Sequence, residues 1–289
     1  MRRIFCIGTL TAAVLSVSCS DAAISERICV PPANADALTE MLLNTETYAL
    51  FRLNDSEHCE PDTWITDALQ SRMLARTMLR SVTWKRTGSY LEIQADYAKP
   101  QDVLREEKRM LYDAAQIWCQ ETTGESNAVR VLLAHDLLCR CCRYADDSQN
   151  THSAAGALLE HSAACDGYAE AFALLMEYAE IPVMIVTGQA AAPDGKTEDH
   201  AWNMVRLSDC WYHIDCTWDD TDPDTVPAHT YFLCDDAAFR LTHKWDDKKY
   251  PPAQGGGYRY EVIVSEMADQ IRKDSGEYAG YNPSQDPGR

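Results

Sequence analysis

After its first two dozen residues, this 289-residue sequence has no apolar run approaching the length of a membrane-spanning helix. Positive charge is also scarce, with 26 Lys and Arg against 45 Asp and Glu and a net charge of -19. Phosphate backbones would be repelled by such a chain, so nucleic acid is not an expected partner, and only a mild attraction to cationic partners follows. Internal repeats and low-complexity tracts are absent, which sets aside solenoids and biased scaffolds. The acidic run Asp219, Asp220, Asp222 and Asp224 lacks the turn glycine and terminal glutamate of an EF-hand loop. A solvated acidic loop is therefore expected there, and no metal and no cofactor are assigned.

The start of the chain carries its own signal. Met1–Ala23 combines Arg2 and Arg3, an apolar stretch from Ile4 to Val17, and small residues after it, the pattern of an export leader. Cleavage near Ala22 or Ala23 is the leading reading. Ser16-Val17-Ser18-Cys19 resembles a lipoprotein box, so attachment to a membrane through a lipid on Cys19 is the alternative. The protein is accordingly expected to be exported, to the cell envelope or beyond.

Cysteine is plentiful for an exported chain. Of twelve, Cys6 and Cys19 lie in the leader, leaving ten: Cys29, Cys59, Cys119, Cys139, Cys141, Cys142, Cys165, Cys210, Cys216 and Cys234. If one stays free for chemistry, at most four disulfides can form, with connectivity open. The Cys139-Arg140-Cys141-Cys142 cluster falls in a helical pattern and has no second Cys/His pair at zinc-site spacing, so disulfide or packing roles are expected.

Chemistry concentrates in the middle of the sequence. Cys165 directly precedes a segment whose apolar positions Ala169, Phe172, Ala173, Met176 and Ala179 follow helical spacing, placing its thiol at a helix N-terminus. The positive end of a helix favours thiolate, which is the nucleophile. Pro182 to Gly188 reads as a buried strand, and His200 to Leu207 and Cys210 to Thr217 alternate like the arms of a hairpin. If Ser208 and Asp209 form a two-residue turn, His200 and Asp215 become diagonal neighbours on one face. A slip of one residue would put them on opposite faces. A thiol needs an imidazole to take its proton, and the imidazole needs a carboxylate to fix its tautomer and balance its charge. Each residue alone has an ordinary structural reading: a buried cysteine, a histidine at a strand start, an acid bonded to backbone.

The runs Cys165-Asp166-Gly167-Tyr168-Ala169, His200-Ala201-Trp202-Asn203 and Trp211-Tyr212-His213-Ile214-Asp215-Cys216-Thr217-Trp218-Asp219-Asp220 together resemble the transglutaminase-like superfamily, most closely its bacterial members and the similar cytokinesis and kyphoscoliosis peptidase groups. Val131 to Tyr144, with His135-Asp136, and Ser153 to Leu158 resemble the leading helix and loop of that core, and Tyr231-Phe232-Leu233 its closing strand. The resemblance implies an α+β, papain-like fold in which a cysteine-bearing helix packs on an antiparallel sheet. It implies Cys165 as nucleophile, His200 as general base and acid, and Asp215 as orienting carboxylate. Tyr168, Trp202 and Trp218 are then expected as substrate-groove walls, although aromatic residues on strands are more often core. Glu160 to Ala164 and the Ser208-Asp209 turn depart from the family pattern, in which glycine then valine, and Asp-Gly, are usual.

Before the core, Tyr48 to Leu53 and Val82 to Tyr97 read as strands, and Thr63 to Leu79 and Gln101 to Glu121 as helices. The organisation expected is a leader over 1–23, an N-terminal α/β accessory domain over 24–125, a transglutaminase-like core over 126–250, and a partly disordered extension over 251–289, with a strand-like piece at Tyr258 to Val264 followed by a helix. The function implied is cysteine-dependent acyl transfer on protein or peptide amides through a thioester, ending on water or an amine. The alternative is a noncatalytic module that binds protein or peptide in the same groove.

Overall fold

The computed structural model describes residues 2–5, 34–53, 61–71, 78–148, 150–191, 196–220 and 226–274. Most of the leader, Cys29, Cys59, Asp222, Asp224 and the last fifteen positions lie outside the described residues. The chain is α+β and divides into two compact units, residues 1–117 with 153–155, and residues 118–152 with 156–289. Among the described residues no helix is long and apolar enough to cross a membrane.

The first unit contains β1 (Arg2–Phe5), α1 (Asn34–Leu43), β2 (Tyr48–Arg52), α2 (Pro61–Ser71), β3 (Leu79–Thr87) and β4 (Tyr90–Tyr97). Its strands form one antiparallel sheet in the order β1-β3-β4-β2. Strict alternation in β4 turns Leu91, Ile93, Ala95 and Tyr97 to one buried face. Those side chains meet Leu38, Met41 and Leu42 of α1 and Ile65 of α2 in a single core. Thr87 pairs with Tyr90 across a two-residue turn, where Gly88 takes the left-handed conformation that glycine adopts without a Cβ penalty. The helix expected over Thr63 to Leu79 is α2, ending at Ser71, with Pro61 at its first position where a missing N–H costs nothing. Leu79 instead opens β3. The boundary between the units falls within α3 (Gln101–Glu121).

The second unit is built around a helix buried on all sides. It contains α4 (Asn127–Cys141), β5 (Arg143–Tyr144), all but the first two residues of α5 (Ala154–Leu158), β6 (Ser162–Ala163), α6 (Cys165–Tyr178), β7 (Val183–Ala191), β8 (Thr197–Leu207), β9 (Cys210–Ile214), α7 (Cys216–Asp219), α8 (Asp236–Phe239), β10 (His243–Lys244) and α9 (Tyr260–Asp274). The four long-range strands form an antiparallel sheet in the order β10-β7-β8-β9. Every residue of α6 from Gly167 to Met176 is buried, the signature of a helix with neighbours on all faces. It packs against β7 and β8 and against α4 and α7. The buried Asn203 amide on β8 donates to the Ala169 carbonyl at 2.9 Å, a polar tie between helix and sheet with its partner satisfied.

The hairpin register follows the expected turn. Leu207 pairs with Cys210 and Asn203 with Ile214, so Ser208 and Asp209 are the two turn residues, Ser208 with φ of 52°. Strand β9 stops at Ile214, three residues earlier than alternation suggests. The Asp215 side chain accepts from the N–H groups of Thr217 and Trp218, so it caps α7 and ends the ladder. Tyr231-Phe232-Leu233 is not a closing strand. The Tyr231 N–H is taken by Asp219 and Leu233 has φ of 52°, leaving Cys234 with one bridge to His213. The edge strand opposite is β10, which pairs with β7. Tyr258 to Val264 does not continue as a strand either. Good helix formers follow it, α9 begins at Tyr260, and Ile263 is its buried anchor.

The disulfides expected from the cysteine count do not form among the described residues, where Cys119, Cys139, Cys141, Cys142, Cys165, Cys210, Cys216 and Cys234 are all free thiols.

Candidate active site

Cys165 opens α6, and it is half-buried. The preceding Ala164 has an extended backbone and no side chain able to cap the helix. The positive end of α6 lies at Cys165, and within the first turn Asp166 Oδ1 accepts from the Gly167 N–H at 3.0 Å. His200 lies in β8, its side chain 3% exposed, and its ring is near enough to the Cys165 thiol for the two to interact. On the other side, His200 Nε2 is 2.7 Å from Asp215 Oδ2. With Nε2 engaged by the carboxylate, Nδ1 is the ring atom left for sulfur.

Asp215 is buried and saturated with donors. Its Oδ1 accepts from the N–H groups of Thr217 and Trp218 at 3.0 and 3.1 Å. Its Oδ2 takes His200 Nε2 and also His243 Nε2, at 3.1 Å. Burial works against ionisation here, but the His200 charge and these hydrogen bonds hold the carboxyl well below the usual carboxylate range. Burial likewise pulls the His200 ring down, yet the adjacent Asp215 charge and hydrogen bond, with a smaller contribution from the Cys165 thiol, raise it to about 10. The imidazolium is the form this pocket favours.

His243 was not legible in the sequence. It sits in the two-residue strand β10, is fully buried, and has Nδ1 2.9 Å from Thr242 Oγ1. A threonine hydroxyl can donate to that nitrogen, which leaves the proton on Nε2 pointing at Asp215. Nothing in Leu241-Thr242-His243-Lys244 signals the role by spacing. The residue reaches Asp215 because β10 lies beside β7 in the sheet.

The three aromatic residues expected to line a groove separate into two kinds. Trp218 is half-buried and its ring lies 5.6 Å from that of His200, beside the thiol's partner. Trp202 is 1% exposed, stacks on the far side of His200, and donates from Nε1 to His213 Nδ1 at 3.0 Å. It belongs to the aromatic core with Phe239 and Trp245, so it is no groove wall. Tyr168 is also 1% exposed, because its position in α6 points inward, and its hydroxyl is held by Asp220. The acidic run is corrected along with it: Asp219 is fully buried and Asp220 half-buried, so neither is a solvated loop residue.

The surface around Tyr144 is acidic and feels Cys165 as well. Tyr144 is exposed, and its hydroxyl is pushed upward first by partial burial and then by the fields of Cys165, Asp146, Glu198 and Asp166. His152 bridges two of these carboxylates, 2.9 Å from each of Asp146 and Asp166.

Comparison with known proteins gives a match of residues 114–216 to the family described as the transglutaminase-like superfamily. Over 86 residues the chain is 35% identical to kyphoscoliosis peptidase of Homo sapiens, a stretch that makes up 27% of this chain and spans 13% of the human protein. Among solved structures, a TGase is similar at 12% identity and a TM-score of 0.32, over 64% of this chain and 54% of that one. The periplasmic domain of TgpA from Pseudomonas aeruginosa is similar at 17% identity and a TM-score of 0.30, over 48% of this chain and 58% of that one.

Proposed function

Residues 114–216 belong to the transglutaminase-like superfamily, and on that premise we propose that the protein is an exported, cysteine-dependent acyl-transfer enzyme acting on protein or peptide amides, with a papain-like core. The observation that carries the reading is the continuous chain from the Cys165 thiol through the His200 ring to Asp215, with 2.7 Å between His200 Nε2 and Asp215 Oδ2. Export rests on the leader pattern of the first 23 residues.

In this reading the Cys165 proton passes to His200, and the thiolate attacks the carbonyl carbon of an amide. The C–S bond forms as the carbonyl π pair moves to oxygen, where the Cys165 backbone N–H at the start of α6 is a donor for the developing charge. Collapse of that intermediate breaks the C–N bond, and His200 returns the proton to the leaving amine. Water or a second amine then attacks the thioester, with His200 as base. Asp215 fixes the ring tautomer and balances its charge throughout, and the buried His243 keeps Asp215 in place.

The test is trapping of the acyl-enzyme. A glutamine-containing peptide and a casein-type protein are incubated with the full chain and with Cys165→Ala, with and without a primary amine, and products are followed by intact mass. Thioester adducts and cleaved, deamidated or aminated products that depend on Cys165 support the reading. A noncatalytic binding module is indicated if peptide binds both proteins equally with no change in mass.

A further inference from the structure

A second group of imidazoles and carboxylates lies away from the thiol, where α4, α7 and residues 226–233 converge. His135 Nδ1 is 3.0 Å from Asp136 Oδ1, and His229 Nε2 is 2.8 Å from the same oxygen. One ligand atom from each of these three side chains lies within 4.8 Å of the other two. The other nitrogen of His135, Nε2, is 3.2 Å from Asp219 Oδ2. Asp219 is itself fixed by the N–H groups of Thr230 and Tyr231 at 3.0 and 3.1 Å. His229 is braced from outside by the Tyr260 ring, stacked at 3.7 Å.

Two carboxylates meet two imidazoles in this cluster. Both nitrogens of the fully buried His135 face carboxylate oxygens, and His229 Nε2 faces Asp136 as well. Carboxylates gathered in a low-dielectric site need compensating positive charge. Arg140 Nη2 approaches Asp136 Oδ2 at 3.7 Å, but that guanidinium is 58% exposed and screened by water. A divalent ion balances the two carboxylates. It also lets His135 be neutral, with Nε2–H donating to Asp219, the outer contact that orients metal-bound imidazoles.

We propose that His135 Nδ1, Asp136 Oδ1 and His229 Nε2 bind a divalent transition-metal ion of the zinc class, with Asp219 orienting His135 from behind. Two imidazoles and one carboxylate suit such an ion better than calcium, which takes oxygen ligands. Solvent completes the coordination, since the side chains of Asp136 and His229 keep 20% and 9% exposure and give a route in. The site is structural. Asp219 ends the same one-turn helix that Asp215 caps, so the ion ties that turn to α4 and to the chain around His229. The inference stands independently of the acyl-transfer reading.

The test uses the full chain carrying Cys165→Ser, which removes the reactive thiol as a competing ligand. After chelation and dialysis, Zn2+ is titrated by calorimetry and its effect on Tm is followed, and Co2+ is used for absorption spectroscopy. One ion per chain, a Tm raised by Zn2+, and a cobalt spectrum without a thiolate band are expected. Adding His229→Gln or Asp136→Asn, both of which keep a polar group in place, lowers zinc affinity by at least about 100-fold. Retention of a cooperative melt by either variant shows that the loss is not unfolding. The proposal is overturned if no zinc binds at micromolar concentration, if both variants bind it as the parent does, or if binding is lost only in His200→Ala, which assigns the ion to the cluster around Asp215.

Discussion

Asp215→Asn is the substitution that most directly separates the electrostatics of the site from its shape. The amide keeps an oxygen for the Thr217 and Trp218 N–H groups, so the cap of α7 survives. Its NH2 then faces His200 Nε2 and His243 Nε2, two atoms that donate to the carboxylate in the parent protein. Both rings must instead present a lone pair there. For His200 the remaining proton moves to Nδ1, the nitrogen left for Cys165, and a ring protonated at that atom cannot accept the thiol proton. The size of the effect follows from the rise of His200 from 6.5 to about 10, a preference for imidazolium on the order of 5 kcal/mol that Asp215 leads and burial opposes. Removing the carboxylate leaves burial in charge, and His200 loses its preference for the imidazolium. Iodoacetamide modification of Cys165, followed by mass, is the assay. The expected outcome is a rate at pH 7 lower by at least about 100-fold. Stability changes with it. In the parent, the contribution of His200 is complete below 6.5 and is lost as pH rises through about 10, so Tm falls across that window. The variant loses that slope. An unchanged rate would refute the assignment of Asp215 as the acid that sets the state of His200.

Three further outcomes follow from other contacts. His243→Leu removes one of four donors on Asp215 and slows Cys165 alkylation and turnover by about tenfold, whereas His243→Gln, which can still donate, restores most of the rate; equal loss in both variants argues for packing alone. At Gly188→Ala the new Cβ would lie 2.1 Å from the Lys244 carbonyl oxygen and 2.8 Å from the Trp202 ring, prising β10 from β7, so stability in urea should drop by about 1–3 kcal/mol and alkylation should slow as His243 shifts; no change in either measurement contradicts the close approach of the two strands. The carboxylates of Asp146, Asp166 and Glu198 around Tyr144 predict faster modification of Cys165 by a cationic than by an anionic methanethiosulfonate, by about tenfold at low salt and less at high salt, and a ratio insensitive to ionic strength would remove this acidic surface from the argument.

Short-range pattern was enough for much of this protein. Helical spacing after Cys165, alternation on either side of Ser208-Asp209, and a two-residue turn were sufficient to bring His200 and Asp215 to one face, and the observed pairing of Leu207 with Cys210 follows that register. Gln101–Glu121 is likewise a helix with the bounds its charge and apolar spacing suggest. Pattern failed where a side chain overrode it. Asp215 ended β9 by bonding backbone N–H groups, and Asp219 claimed the Tyr231 N–H that a closing strand would have used. Trp202 and Tyr168 look like groove residues in a motif, but the direction in which each element buries its faces sent both rings inward.

The sequence by itself determined where a thiol, an imidazole and a carboxylate stand and which arms of the chain present them, because all three sit at element boundaries that local propensity and period can locate. Only the tertiary structure decided what surrounds them. His243 meets Asp215 across 28 positions of sequence, and His135 meets Asp219 and Asp136 meets His229 across 84 and 93. Contacts of that separation are made by sheet order and helix packing, and they leave no periodicity in the chain because the residues between them answer to other neighbours.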